Sequence, residues 1–266
     1  MDEKDKYTPQ GSFDSLIKVI EELGNIKVDY DAVDRKVDLE AMRRHEAFLA
    51  SQEIQQQRLE NRRLQIENIH RSGLVNPQWT FENLIKDNQN QNAFASAVGF
   101  CSSLDIAHKP FLYLVQGGAG TGKSALLHAI ANRLLTITSK REVLIVSYED
   151  FKRSRLFTNK EPAEIIAEKQ QNWERYCSVD VLFLDDLCGN NDGLTLYDQK
   201  ILTELLRTRY VKGLSMAIST PVQFKFIHQA IGDACYESIK EYEVISAVLY
   251  GASRRAPIFV EGVPIP

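Results

Sequence analysis

The sequence predicts an α/β protein: a parallel sheet flanked by helices on both sides, preceded by a helical N-terminal segment. Three observations predict it. From residue 73 onward, short apolar runs alternate with longer helix-forming stretches. The runs are continuously apolar, so both faces of each strand are covered, as in a parallel sheet between helix layers. Ahead of them, no Gly or Pro occurs from Asn25 to Ser72, and Glu, Gln, Arg, Ala and Leu dominate that stretch, which reads as helix. The expected organisation is a helical segment with a linker helix over 1–72 and an α/β domain over 73–266.

In chain order, Phe13–Leu23 reads as a short amphipathic helix. Leu16, Ile20 and Leu23 share one face and Gly24 ends it. The first forty residues hold 11 acidic and 6 basic side chains. From Gln52 to Arg71 the apolar residues thin out to a few spaced ones, among them Ile54, Leu59, Ile66 and Ile69. A helix this polar either packs on a partner or is a solvated connector. Gly73 and Pro77 then break the chain. The strand candidates are Phe111–Gln116, Val143–Tyr148, Val181–Leu184, Leu214–Ser219 and Ile258–Val260. Helices lie between them, at Ser124–Leu135, Pro162–Tyr176 and Tyr197–Tyr210.

Composition narrows the function class. The 266 residues are 44% apolar and 26% charged, enough to bury a core and unlike disordered, collagenous or disulfide-scaffold chains. A net charge of −4 excludes coating nucleic acid through bulk positive charge, but a local basic groove is still compatible with it. Cys101, Cys177, Cys188 and Cys235 are far apart with no C-x-x-C pair, which predicts reduced thiols. The charged N-terminus has no apolar run after it, and the longest apolar runs are strand-sized. The expectation is a cytoplasmic protein without membrane contact.

The chemistry is carried by one motif. Strand Phe111–Val115 runs into Gly117-Gly118-Ala119-Gly120-Thr121-Gly122-Lys123-Ser124 and on into helix Ala125–Ile130. This is the G-x-x-x-x-G-K-S phosphate loop in its required place between strand and helix. The glycines let the backbone wrap a phosphate and turn N–H groups inward, and the helix N-terminus adds its dipole. Lys123 is expected on the β- and γ-phosphates of ATP, with Ser124 on Mg²⁺. A second acidic strand, Val179–Asp186, ends in two carboxylates. Asp185 is expected near the Mg²⁺ water shell and Asp186 at the attacking water. Asp186 stands where many ATPases carry Glu, and its shorter arm predicts slow hydrolysis. The strand ending Ser219-Thr220 either senses the γ-phosphate or caps the helix starting near Pro221.

These pieces together, with the helix ending Arg209-Tyr210, resemble the AAA+ ATPases. The opening segment sharpens the likeness. Arg71-Ser72-Gly73-Leu74 followed by Trp79-Thr80-Phe81-Glu82-Asn83-Leu84, about forty residues before the phosphate loop, is similar to the start of DnaC-type replicative helicase loaders. The resemblance covers about residues 60–266. It implies a five-stranded sheet and self-association in a ring or spiral. It also implies an N-terminal region gripping a hexameric DnaB-type helicase, and contact with single-stranded DNA. Adenine contact is implied near Phe81. DNA contact is implied after the second strand, at Lys152, Arg153, Arg155 and Phe157, where basic and aromatic residues interleave; a solvated helix face has the same composition.

One departure concerns the arginine that such proteins insert into a neighbour's site. Two windows correspond, Ile231–Ser238 and Tyr242–Val248, and neither contains arginine. Arg254 and Arg255 are the nearest substitutes and Arg209 a third. The expectation is an ATP-dependent helicase loader with at most weak ATPase activity. The alternatives are a transposition helper of the IstB kind, or a nucleotide-binding adaptor with little hydrolysis.

Overall fold

The computed structural model describes residues 39–104, 109–137, 141–158, 161–190, 193–255, 258–260 and 263–265. The expected Phe13–Leu23 helix, with Leu16, Ile20 and Leu23, lies outside them. The first described helix, α1 (Leu39–Arg71), runs through most of the stretch without Gly or Pro. From Arg43 to Asn61 its side chains are exposed. The chain divides within this helix, between Arg58 and Leu59. In the second unit the helix is anchored: the Arg62 guanidinium donates to the carbonyls of Leu135 and Arg141 at 3.3 and 3.2 Å, and His70 meets Asn132 at 3.0 Å. Ile66 and Ile69 pack against buried side chains of that unit.

Strands β1 (Phe111–Gly117), β2 (Val143–Ser147), β3 (Val181–Asp185), β4 (Ser215–Thr220) and β5 (Glu243–Leu249) form one sheet in the order β2-β3-β4-β1-β5, parallel throughout. The helices are α2 (Gln91–Ser103), α3 (Lys123–Ile137), α4 (Tyr148–Arg153), α5 (Ala163–Tyr176), α6 (Leu196–Val211), α7 (Phe224–Ile231) and α8 (Asp233–Lys240). Alternate residues of each strand go to opposite faces, and here both faces are core. Leu112, Leu114, Leu182, Leu184, Met216 and Ile218 pack with Leu202, Leu205, Ile231 and Ile239 on one side. Tyr113, Val115, Val181, Phe183 and Ala217 pack with Phe94 and Phe100 of α2 and Leu127, Ile130 and Leu134 of α3 on the other.

The fifth strand corrects an expectation. Ile258–Val260 is a strand, β6, but it pairs antiparallel with β7 (Val263–Ile265) in a separate two-stranded sheet. The fifth place in the main sheet is taken by β5, paired with β1 from Phe111↔Glu243 to Gly117↔Leu249. As an edge strand, β5 leaves Glu243, Val244 and Ser246 exposed, so it lacks the fully apolar run of its neighbours. The window Tyr242–Val248 is therefore mostly strand rather than helix, while Asp233–Ser238 of the other window lies on α8. All four cysteines are free and buried. Burial pushes the Cys188 thiol up to about 11 and that of Cys101 to about 12, which keeps both protonated and unreactive.

Candidate functional site

The carboxyl ends of β1, β3 and β4 meet at one edge of the sheet because β4 lies between the other two. That edge opens into a cleft of about 770 Å³. Ala119–Ala125 form its floor, Asp185, Asp186 and Ser147 one side, and Trp79, Leu84, Ile85 and Phe94 another. Gly120 and Gly122 sit at φ +75° and +101°, in the left-handed region that the loop needs and L side chains resist. Lys123 opens α3, is 8% exposed, and donates from Nζ to the carbonyls of Gly117 and Gly118 at 2.9 and 3.0 Å. Burial lowers its pKa, and Asp186 and Asp185 oppose that shift. An ammonium has three donors and two are used here, so the third is available for an anion on the loop.

Asp185 and Asp186 leave the end of β3 in different ways. The Ser219 hydroxyl donates to Asp185 Oδ1 at 2.5 Å and accepts from the Asp186 amide at 2.9 Å. Asp186 adopts φ +63°, a strained conformation that Asp tolerates better than most residues. Gly189 leaves room for its carboxylate: a Cβ there would lie 2.3 Å from Asp186 Oδ2. Ser219 and Thr220 are fully buried. Thr220 Oγ1 donates to Leu187 O and accepts from the Val222 amide, at 2.8 and 3.1 Å. Of the two roles expected for this strand end, γ-phosphate sensing or capping, the bonds seen are local ones: Ser219 fixes both aspartates and Thr220 fixes the turn after β4.

Other expected positions are redistributed. Phe81 is buried and meets Phe94 edge-on, at a centroid distance of 6.0 Å. It backs the cleft, while Trp79, Leu84 and Ile85 from the same opening segment line it. Lys152 is paired with buried Asp198 at 3.1 Å. Arg155 is paired with Glu204 at 3.2 Å and stacked 4.2 Å over the Trp173 ring. Arg153 and Phe157 are more open, with Arg153 bonded to its helix neighbour Asp150. So three of the four expected DNA contacts are held in ion pairs, Lys152 and Arg155 with another helix and Arg153 within its own, while Arg153 and Phe157 stay at the surface. Arg209 is fully buried and bonded to four backbone carbonyls. That placement removes it from any role at a neighbour's site.

Arg254 and Arg255 line the cleft of their own chain. The Arg254 amide donates to Gly120 O at 2.9 Å, and its guanidinium meets Asp87 Oδ2 at 2.7 Å. Sequence reasoning missed Asp87, Asn90 and the whole of α2. The available signal was the spacing Ala93, Phe94, Ala97, Phe100 and Cys101, a helical face that is buried throughout.

A strand-borne phosphate loop, an acidic strand end and a fifth strand on the far side of β1 together define an AAA+ nucleotide-binding core. The model of the bacterial DnaA ATPase domain matches residues 75–216, more than half of the chain, and the chain belongs to that family. It is 36% identical over 126 residues to the chromosomal replication initiator protein DnaA of Chloroflexus aurantiacus, covering 47% of this chain and 24% of that protein. The chain thus spans about a quarter of the length of that relative. Among solved structures it is similar to replication initiator DnaA bound to AMPPCP and single-stranded DNA (TM-score 0.52, 20% identity, 68% of this chain and 53% of that one). It is equally similar in fold to the DnaC helicase loader (TM-score 0.52, 16% identity, 65% of this chain and 98% of that one). Among the described residues no helix is long and apolar enough to cross a membrane.

Proposed function

We propose that this protein is an ATP-dependent helicase loader that binds a hexameric replicative helicase and helps place it on single-stranded DNA. The observation that carries the reading is the cleft, where Lys123, Ser124, Asp185 and Asp186 meet beside an apolar wall supplied by the loader-like opening segment. The amides of the phosphate loop and Lys123 hold the phosphates. Ser124 and Asp185 offer one hydroxyl and one carboxylate, a hard-oxygen set that fits Mg²⁺ sharing its shell with phosphate oxygens and water. When bound, the ion neutralises charge on the phosphates. Asp186 orients the attacking water and accepts its proton, and Ser219 holds the Asp185 carboxylate and the Asp186 backbone. Arg255 supplies a positive charge from the same chain. Arg153 and Phe157 are the open candidates for DNA, and ring or spiral self-association is the working form.

A second reading is favoured by the relationship to DnaA: an ATPase that assembles on single-stranded DNA without a helicase. Affinity purification of the tagged chain with ATP, from cells expressing the cognate helicase, separates them. Retention of the helicase at stoichiometric yield supports the loader. Single-stranded DNA retained without helicase supports the second reading, and a transposase retained instead supports a transposition helper.

Asp186→Asn is expected to leave ATP affinity within about twofold and to lower turnover by about 10² or more. Asn also tolerates the left-handed backbone at this position, so the fold is not the variable. Calorimetry and a phosphate-release assay check it, and unchanged turnover removes Asp186 from water activation.

A further inference from the structure

The segment after β5 returns over the phosphate loop and touches both sides of the cleft. Gly251 sits at φ +101°, and a Cβ there would fall 2.0 Å from Gln89 Oε1. The Ser253 hydroxyl occupies the space a Gly120 Cβ would need, 2.1 Å away. The Arg254 amide is bonded to Gly120 O, and its side chain closes on Asp87. The cleft is therefore spanned by a strap, Gly251–Arg255, running from the 87–90 loop to the phosphate loop.

Asp87 joins the two ends. Its Oδ1 accepts from the Gln89 and Asn90 amides at 2.9 and 3.1 Å, while Oδ2 takes the Arg254 guanidinium. Asn90 is 2% exposed, donates to Ile85 O at 2.8 Å and accepts from the Asp87 amide at 2.9 Å. So Ile85, on the apolar wall, is tied through Asn90 and Asp87 to Arg254 on the phosphate side. The same carboxylate shapes the wall and holds the strap. Its neighbour Arg255 makes no side-chain hydrogen bond or ion pair among the described residues, and it lines the cleft. A strap whose anchored residue precedes a free cation holds that cation over the loop.

We propose that the Asp87–Arg254 ion pair is a latch that holds the strap across the cleft and sets how long a nucleoside triphosphate stays bound. The proposal rests on the nucleotide reading of this cleft. Arg254 is a positioning residue: it acts through the strap and through Arg255. An ion pair at a partly exposed site is worth little for global stability. It gains leverage here because opening it frees one wall from the other, and a local opening of that kind controls exit rather than folding.

The test is release of the fluorescent analogue mant-ATP from the full chain, chased with excess ATP in a stopped-flow instrument. Asp87→Asn keeps an oxygen for the Gln89 and Asn90 amides but turns an NH₂ toward the guanidinium. Arg254→Gln removes the charge while keeping the backbone bond to Gly120. Both are expected to speed release about tenfold or more, with association within about twofold. Arg254→Lys, which retains the charge, is expected to stay within about threefold of wild type. Wild-type release is also expected to accelerate with added salt more steeply than that of Asp87→Asn, because only the wild type has the ion pair to screen. Release within twofold of wild type for both Asp87→Asn and Arg254→Gln, or equal salt dependence of wild type and Asp87→Asn, overturns the latch and leaves the nucleotide site intact. Failure of the wild type to bind mant-ATP at all overturns the site and the latch together.

Discussion

Replacing Arg209 by alanine is expected to destabilise the protein by about 3–5 kcal/mol, the cost typical of stripping one partner from a buried charged network. The side chain is fully buried at the last turn of α6. It donates to Tyr176 O at 2.7 Å, Val179 O at 2.9 Å, Asp180 O at 3.3 Å and Ser215 O at 2.7 Å. Those carbonyls belong to the last residue of α5, the turn into β3 and the first residue of β4, so one guanidinium fastens the entrances of two central strands. Burial lowers its pKa to about 10, which still leaves it charged at neutral pH. Alanine leaves the carbonyls without their donor and a cavity beneath them. Arg209→Lys, a point charge in place of a fork, is expected to cost less but still more than about 1 kcal/mol. Urea unfolding followed by circular dichroism measures both. A loss below about 1 kcal/mol for alanine contradicts the role assigned here.

Lys123→Ala is expected to lower ATP affinity by about 100-fold or more while leaving the fold in place. Charge-assisted bonds to phosphate are worth about 1.5–3 kcal/mol each, and about 2.7 kcal/mol already gives 100-fold. The structural side is small, because Nζ holds only the carbonyls of Gly117 and Gly118, on the floor of an open cleft. Calorimetric titration with ATP measures the affinity and a thermal melt monitors the fold. An affinity within threefold of wild type removes the phosphate loop from nucleotide binding.

The candidate site was legible in unequal parts. The phosphate loop and the Asp185-Asp186 strand end were readable because each is a contiguous run whose chemistry follows from spacing. Ser219 was readable only as a polar residue at a strand end. Its hydroxyl serves two aspartates 33 and 34 residues earlier in the chain, a pairing no local pattern contains. Lys152 and Arg155 carried the composition of a nucleic-acid surface, yet Asp198 and Glu204 on α6 hold them. Such partners are chosen by packing between helices far apart in sequence.

The sequence by itself determined what most segments of the sheet's core are, though not α2 or β5: strand where apolar residues run on, long helix where Gly and Pro are absent, phosphate loop where glycines precede Lys123 and Ser124. These are local properties, decided by backbone sterics and by which side chains can leave water. Only the tertiary structure decided which segments are neighbours. It placed β4 between β1 and β3, so that Ser219 reaches Asp185. It made β5 the fifth strand and left Ile258–Val260 in a hairpin, although the latter has the more apolar run. An edge strand needs only one strand to pair with and a partly covered face, so its sequence is under weaker demand to look like a strand. It also brought Arg254 to Asp87 across 167 residues of chain. That contact depends on where a whole sheet delivers its last strand, and no window of sequence encodes it.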